Sequence, residues 1–172
     1  MAELKEVRDP LPTEAPVFED NAQLVDDAFA RLKTGFKSGR TKKYEWRVGQ
    51  LKQLMKGIRT MGPELSKACS ADLGKSDFAN WLFELRCIER EIEHSLKHLK
   101  KWMRDECVDT PFALGPAKSY LQREPLGVVA IIGSWNYPLA TAVGPMVAAM
   151  AAGNCVLMKP SEMAPNVAKV VK

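Results

Sequence analysis

The chain has 172 residues, 46% of them hydrophobic, enough for one ordinary domain with a real core. Its 25 Lys and Arg stand against 21 Asp and Glu, a net charge of only +4. That balance excludes a strongly basic nucleic-acid binder: the nearest basic cluster, Lys97, Lys100, Lys101 and Arg104, is flanked by Glu91, Glu93, Asp105 and Glu106, and reads as a solvated helix face.

Residues 1–17 hold Pro10, Pro12 and Pro16 among charges and read as an extended, mobile tail. Leu24, Val25, Ala28, Phe29, Leu32 and Phe36 recur at helical spacing, closed by Gly39, and predict an amphipathic helix whose apolar stripe faces a partner. Thr41 is the expected cap of the next helix, carried by Tyr44, Val48, Leu51, Met55 and Ile58. Gly62-Pro63 is expected to break it, leaving a short third helix from Glu64 to Leu73 that ends at Gly74. Ser76 then stands at an N-cap position with Asp77 in the first turn. Phe78, Trp81, Leu82, Leu85, Ile88, Ile92, Leu96 and Leu99 carry one long apolar face. For Phe78 and Trp81, core is the commoner role and a subunit contact the alternative. Asp105 to Pro116 is polar and proline-rich and reads as a loop; Ser119 to Arg123 alternates weakly, as an edge or bridging strand does.

Val128 to Ile132 is an unbroken, mostly β-branched run, the pattern of a parallel strand buried on both faces. Gly133 permits a tight turn and close approach of a ligand. Pro138 then leads into an apolar helix from Leu139 to Ala152, stopped by Gly153. A second apolar run, Cys155 to Met158, ends in Lys159-Pro160-Ser161-Glu162. The order is helices first, then strand–helix–strand: an α/β chain whose amino-terminal helices precede the start of a parallel, Rossmann-like sheet. Ligands of open α/β sheets bind outside the carboxyl ends of the strands. Two parallel strands are not a stable sheet, so a longer parent chain or a partner is expected to supply more.

Candidate chemistry gathers at those strand ends. Asn136, in a turn, either stabilises the turn, the commoner role of such a residue, or donates a hydrogen bond to developing charge on a carbonyl oxygen. Lys159 and Glu162 are either loop charges or a cation and acceptor for ribose hydroxyls and phosphate. Neither a Gly-x-Gly-x-x-Gly turn nor a Gly-x-x-x-x-Gly-Lys-Ser/Thr loop is present. The four cysteines (Cys69, Cys87, Cys107, Cys155) make no Cys-x-x-Cys pair, and only His94 and His98 accompany them, so a zinc site is not expected. Cys155 reads as a core residue rather than a nucleophile. Scattered thiols and a polar, acidic amino terminus point to a reducing, cytoplasmic setting. The longest apolar run, Leu139 to Ala152, contains Gly144 and Pro145 and is too short to span a bilayer.

Glu124-Pro125-Leu126-Gly127-Val128-Val129, Trp135-Asn136-Tyr137-Pro138, Ala151-Ala152-Gly153-Asn154 and Lys159-Pro160-Ser161-Glu162, in this order, resemble the amino-terminal third of an aldehyde dehydrogenase. The resemblance runs from about Val25 to Lys172 and is closest to the class 3, fatty-aldehyde-type branch, which Asp72-Leu73-Gly74-Lys75-Ser76 and Trp102-Met103 also resemble. It implies an NAD- or NADP-dependent oxidation of aldehyde to carboxylate by a homodimer. It further implies Asn136 as the oxyanion donor, backbone from Ile132 through Gly133 and Ser134 to Trp135 along the cofactor, Lys159 and Glu162 on the adenosine ribose, and Tyr137 bordering the aldehyde pocket. On this reading residues 18–104 are the helical part of the cofactor domain, 105–124 a loop and bridging strand, and 125–172 the first, incomplete βαβ unit. The family's nucleophilic cysteine, general-base glutamate and glycine-rich cofactor turn lie further along the chain, so this chain alone is expected to be inactive and to bind cofactor weakly or not at all. The alternative is a non-catalytic short chain acting as an interaction module.

Overall fold

Residues 21–172 are described by a computed structural model; the tail expected over 1–17 lies outside them. Helix α1, Ala22–Lys37, begins at Asn21, whose side chain accepts from the Leu24 N–H (3.0 Å). Gly39, at φ +74°, turns the chain as expected. The stripe of α1 is only partly covered: the helix lies against the β3–β4 sheet described below, while Leu24 and Val25 stay exposed. Thr41 does not cap the next helix. It is buried in a 3₁₀ turn, Arg40–Lys42, and the cap position falls to Lys43.

The break expected at Gly62-Pro63 does not occur. Helix α2 runs through Pro63 without interruption, Tyr44–Leu73, to a left-handed Gly74. A proline inside a helix costs about 3 kcal/mol. Leu51, Ile58 and Leu65, at seven-residue spacing, are all buried along one face of α2. Full burial of such a side chain contributes roughly 1.5–3 kcal/mol each, so the continuous stripe outweighs the proline.

The long amphipathic helix predicted after Ser76 exists, but with a defect. It comprises α3 (Asp77–Asn80), a π-helical turn (Trp81–Leu85) in which Arg86 N–H reaches back to the Trp81 carbonyl, and α4 (Arg86–Trp102). Ile88, Ile92 and Leu99 are buried as predicted. Phe78 and Trp81 are not in the core: they remain 68% and 51% exposed, while α2 covers the opposite face of this helix start, where Asn80 is buried and donates to the Ser66 carbonyl (3.0 Å).

The segment read as a loop contains a strand. β1, Glu106–Val108, pairs antiparallel with β2, Ser119–Leu121, in the register Cys107 opposite Tyr120. Three residues are too few for alternation to show in the sequence, and this exposed ribbon forms through pairing across the intervening turn. β3, Val128–Ile132, pairs in parallel with β4, Cys155–Lys159, from Val128 opposite Cys155 to Ile132 opposite Lys159. The crossover is α5, Ala140–Ala151, and α6, Pro165–Val171, follows β4. β3 is not buried on both faces: Ala130 and Ile132 are exposed. A parallel strand becomes fully buried when further strands and helices flank it, and among the described residues β4 is its only partner.

The core lies between helices. Leu51, Ile58 and Leu65 of α2 meet Ile88, Ile92 and Leu99 of the long helix, Val143 and Val147 of α5, and Val167 of α6. Buried Arg47 fastens the far end of α5, donating from Nε to the Thr41 carbonyl (2.9 Å) and from Nη1 to the Ala151 carbonyl (3.1 Å). Gly153 has φ +92°, and a Cβ there would stand 2.4 Å from the Arg47 guanidinium. Gly153→Ala therefore faces both backbone strain and a clash. It is expected to lower unfolding stability by about 2 kcal/mol or more; an unchanged urea midpoint would show that Arg47 moves aside freely.

Candidate functional site

The parallel register sets the site's frame. Ile132 and Lys159 lie side by side at the ends of β3 and β4, and the Gly133 N–H extends the ladder by donating to the Lys159 carbonyl (3.0 Å). Glu162, three residues on, is ion-paired with Lys159. The Lys159 ammonium, with a backbone hydrogen bond, holds the Glu162 carboxyl below its ordinary value. The pair therefore presents an ionised acceptor and a cation in the open, beside Ile132, which is 76% exposed. Gly133 serves packing: a Cβ there would stand 2.9 Å from the Ala142 Cβ of α5, so its absence lets helix and strand approach.

Beyond Gly133 the chain turns through Ser134, Trp135, Asn136 and Tyr137 into α5. The Ser134 hydroxyl donates to Asn136 Oδ1 (2.7 Å). Thr141 Oγ1 accepts from the Ser134 N–H (3.0 Å) and donates to the Tyr137 carbonyl (2.9 Å), closing the turn. With Oδ1 engaged, the Asn136 amide points its Nδ2 hydrogens away from Ser134, and no acceptor takes them among the described residues. Trp135 and Tyr137 stay partly exposed on either side. An exposed amide donor flanked by aromatic surface can bind an oxygen on which negative charge develops.

Two carboxylates carry structural roles that the sequence reading did not assign. Glu84 is completely buried. Its Oε2 accepts from the N–H groups of Leu139 (3.2 Å) and Ala140 (2.9 Å), and its Oε1 from Lys75 Nζ (3.1 Å). Asp72 does the same for α6, accepting from the N–H groups of Asn166 (3.1 Å) and Val167 (2.8 Å). Each carboxylate satisfies orphan donors at a helix start, where the dipole favours negative charge. For Glu84 a signal was present: at four residues before Ile88 and eight before Ile92 it is a charge on the apolar stripe. Asp72 stands in the Asp72-Leu73-Gly74-Lys75-Ser76 motif, but nothing local in sequence shows that it caps α6.

These contacts bear on a nucleotide cofactor. Lys159, ionised Glu162 and exposed Ile132 fit a ribose and its neighbouring ring. The start of α5, where dinucleotide-binding folds hold a diphosphate, already carries the Glu84 carboxylate, and the start of α6 that of Asp72. Among the described residues, protein carboxylates thus cap the starts of both α5 and α6, and the Lys159–Glu162 pair stays open to solvent.

No cysteine stands in an activated setting. Burial, chiefly, pushes the Cys69 thiol up to about 12, and burial also raises Cys155 against the pull of Arg40. Cys87 and Cys107 are exposed. Among the described residues no group of three or more His, Cys, Asp or Glu is placed to hold a metal ion, and no helix is long and apolar enough to cross a membrane. His98 stacks on Trp102, and His94 packs against both rings at a tilt.

The model of the aldehyde dehydrogenase family matches residues 5–172. Aldehyde dehydrogenase family 3 member B3 of Mus musculus is 39% identical over 156 residues, 91% of this chain and 33% of the relative. The substrate-bound structure of Staphylococcus aureus AldH superposes with a TM-score of 0.84 at 38% identity, over 86% of this chain and 32% of that one. The P. syringae indole-3-acetaldehyde dehydrogenase AldA, in a complex with NAD+ and IAA, superposes with a TM-score of 0.76 at 26% identity, over 87% and 30%. The chain spans about a third of the length of the relatives it matches.

The thiol environments predict an order of reactivity. Under native conditions near neutral pH, Cys87 and Cys107 are expected to react first with a thiol reagent, and Cys69 only after denaturation, because its thiolate forms natively only near pH 12. Native labelling of Cys69, located by peptide mapping, would contradict its burial.

Proposed function

The chain belongs to the aldehyde dehydrogenase family, and from that membership we propose that it is the amino-terminal part of an NAD(P)-dependent enzyme that oxidises aldehydes to carboxylic acids. One observation carries this reading: at the end of β3 the Asn136 amide is held by Ser134 with its N–H donors free, in a turn closed by Thr141. Asn136 is the oxyanion donor. When a nucleophile adds to the aldehyde carbon, the carbonyl π pair moves onto oxygen, and an Asn136 N–H already aimed there stabilises the charge without reorganising. Lys159 and Glu162 hold the adenosine ribose: the carboxylate accepts its hydroxyl hydrogens and the ammonium reaches its oxygens. Ile132, Gly133, Ser134 and Trp135 border the cofactor, and Tyr137 borders the aldehyde. The bound nicotinamide supplies the hydride acceptor. Residues 18–104 form the helical part of the cofactor domain, 105–124 the loop and bridging strand, and 125–172 its first βαβ unit.

By itself this chain does not oxidise aldehydes. Its four thiols are buried or remote in sequence from the Asn136 turn, and none lies in the family's nucleophile motif. Cofactor affinity of the isolated chain is weak or absent, since it carries only the first βαβ unit of the cofactor sheet. The longer protein is a cytoplasmic homodimer, to which the exposed Phe78 and Trp81 offer an apolar contact surface.

The test is turnover in the aldehyde-oxidising polypeptide that carries these residues. Asn136→Ala is expected to lower kcat by about two orders of magnitude, the usual cost of one oxyanion donor; unchanged turnover removes Asn136 from that role. Glu162→Gln is expected to raise the KM for cofactor with little change in that for aldehyde. An effect confined to aldehyde KM would refute the ribose assignment.

A further inference from the structure

Among the described residues, Lys75 is the one cation that reaches into the Asn136 turn. It lies just past the end of α2, 61 residues away in sequence, yet its Nζ donates to the Asn136 carbonyl oxygen (2.7 Å) and sits 3.9 Å from the centroid of the Tyr137 ring. The same ammonium donates to Glu84 Oε1, whose other oxygen accepts from Leu139 and Ala140. The Lys75–Glu84 pair therefore grips the turn from both ends: the cation holds the Asn136 peptide and the Tyr137 face, and the anion holds the first turn of α5. Glu84 lies within the π-helical turn and is completely buried. A buried carboxylate needs a partner, and Lys75 is the only cation bonded to it among the described residues. A surface lysine would gain little from a single ion pair. This one has three acceptors within reach (a carboxylate, a carbonyl and a ring), and all three converge on the residues beside the free Asn136 amide.

We infer that Lys75 is a positioning residue for the oxyanion donor: seated on buried Glu84, it fixes the orientation of the Asn136 peptide and so the direction in which the Asn136 side chain presents its N–H groups. The inference rests on the role proposed for Asn136, although the positioning itself is testable without catalysis.

In the 172-residue chain, NMR spectroscopy reads the contact directly. The Lys75 ε-methylene protons are expected upfield of those of the other lysines, shifted by the Tyr137 ring, and Tyr137→Leu is expected to abolish that shift. Unshifted Lys75 protons in the unmodified chain overturn the inference and require no variant to fold. Lys75→Met is then expected to speed amide exchange at Leu139, Ala140 and Thr141 by tenfold or more, with Ile92 and Leu99 in α4 unaffected, and Lys75→Arg to recover most of the protection. Equal loss in both variants, or loss spread through α4, makes Lys75 a general stabiliser and defeats the proposal. In the aldehyde-oxidising polypeptide, Lys75→Met is expected to lower kcat at least tenfold with aldehyde KM little changed, and to have no further effect once Asn136 is alanine. Additive losses overturn the positioning role. If Asn136→Ala alone leaves kcat unchanged, the oxyanion assignment fails while the exchange results still decide whether Lys75 sets the turn.

Discussion

A single buried carboxylate joins the two halves of this structure. Glu84 belongs to the helical half, and the N–H groups it accepts, those of Leu139 and Ala140, open the crossover helix of the sheet half. The bond is charge-assisted, lies at a helix start where the dipole favours an anion, and is fully withdrawn from water. Leaving such a group without its partners would cost several kcal/mol, so the position of α5 relative to α4 is strongly specified. Asp72 repeats the device one unit later, tying the end of α2 to the start of α6. The helices thus orient the βαβ unit through ions placed at its helix starts, as well as through apolar packing.

That choice has a chemical consequence at the strand ends. Helix starts in α/β folds are ready-made anion sites, and in this chain protein carboxylates occupy both. What remains open is the rim: Ile132, Lys159 and Glu162 on one side, and the Ser134–Tyr137 turn on the other. The rim carries an ion pair and an exposed amide, and the same Glu84 that caps α5 is linked through Lys75 to the Asn136 carbonyl.

Much of this was legible along the chain. The order of helices, strand, helix and strand and the family itself follow from local patterns: helical periodicity, the run Val128 to Ile132, left-handed glycines at 39, 74 and 153, and short motifs such as Trp135-Asn136 and Lys159-Pro160-Ser161-Glu162. The misreadings share a cause. Pro63 looked like a helix end because its local cost is plain and the packing that outweighs it is distant. Phe78 and Trp81 looked like core because periodicity records a face without recording what covers it. β1 was missed because three residues paired across a turn leave no periodic trace.

The sequence by itself determined the order of the main elements, the family and the residue types at the strand ends, because each of these is written in neighbours a few positions apart. Only the tertiary structure decided that Glu84 and Asp72 cap α5 and α6 across 55 and 94 residues, that Lys75 reaches the Asn136 carbonyl, and that Arg47 closes on Gly153. Such contacts depend on where a charge can be buried with all its partners satisfied. That condition is set by the assembled core and by no local stretch of chain.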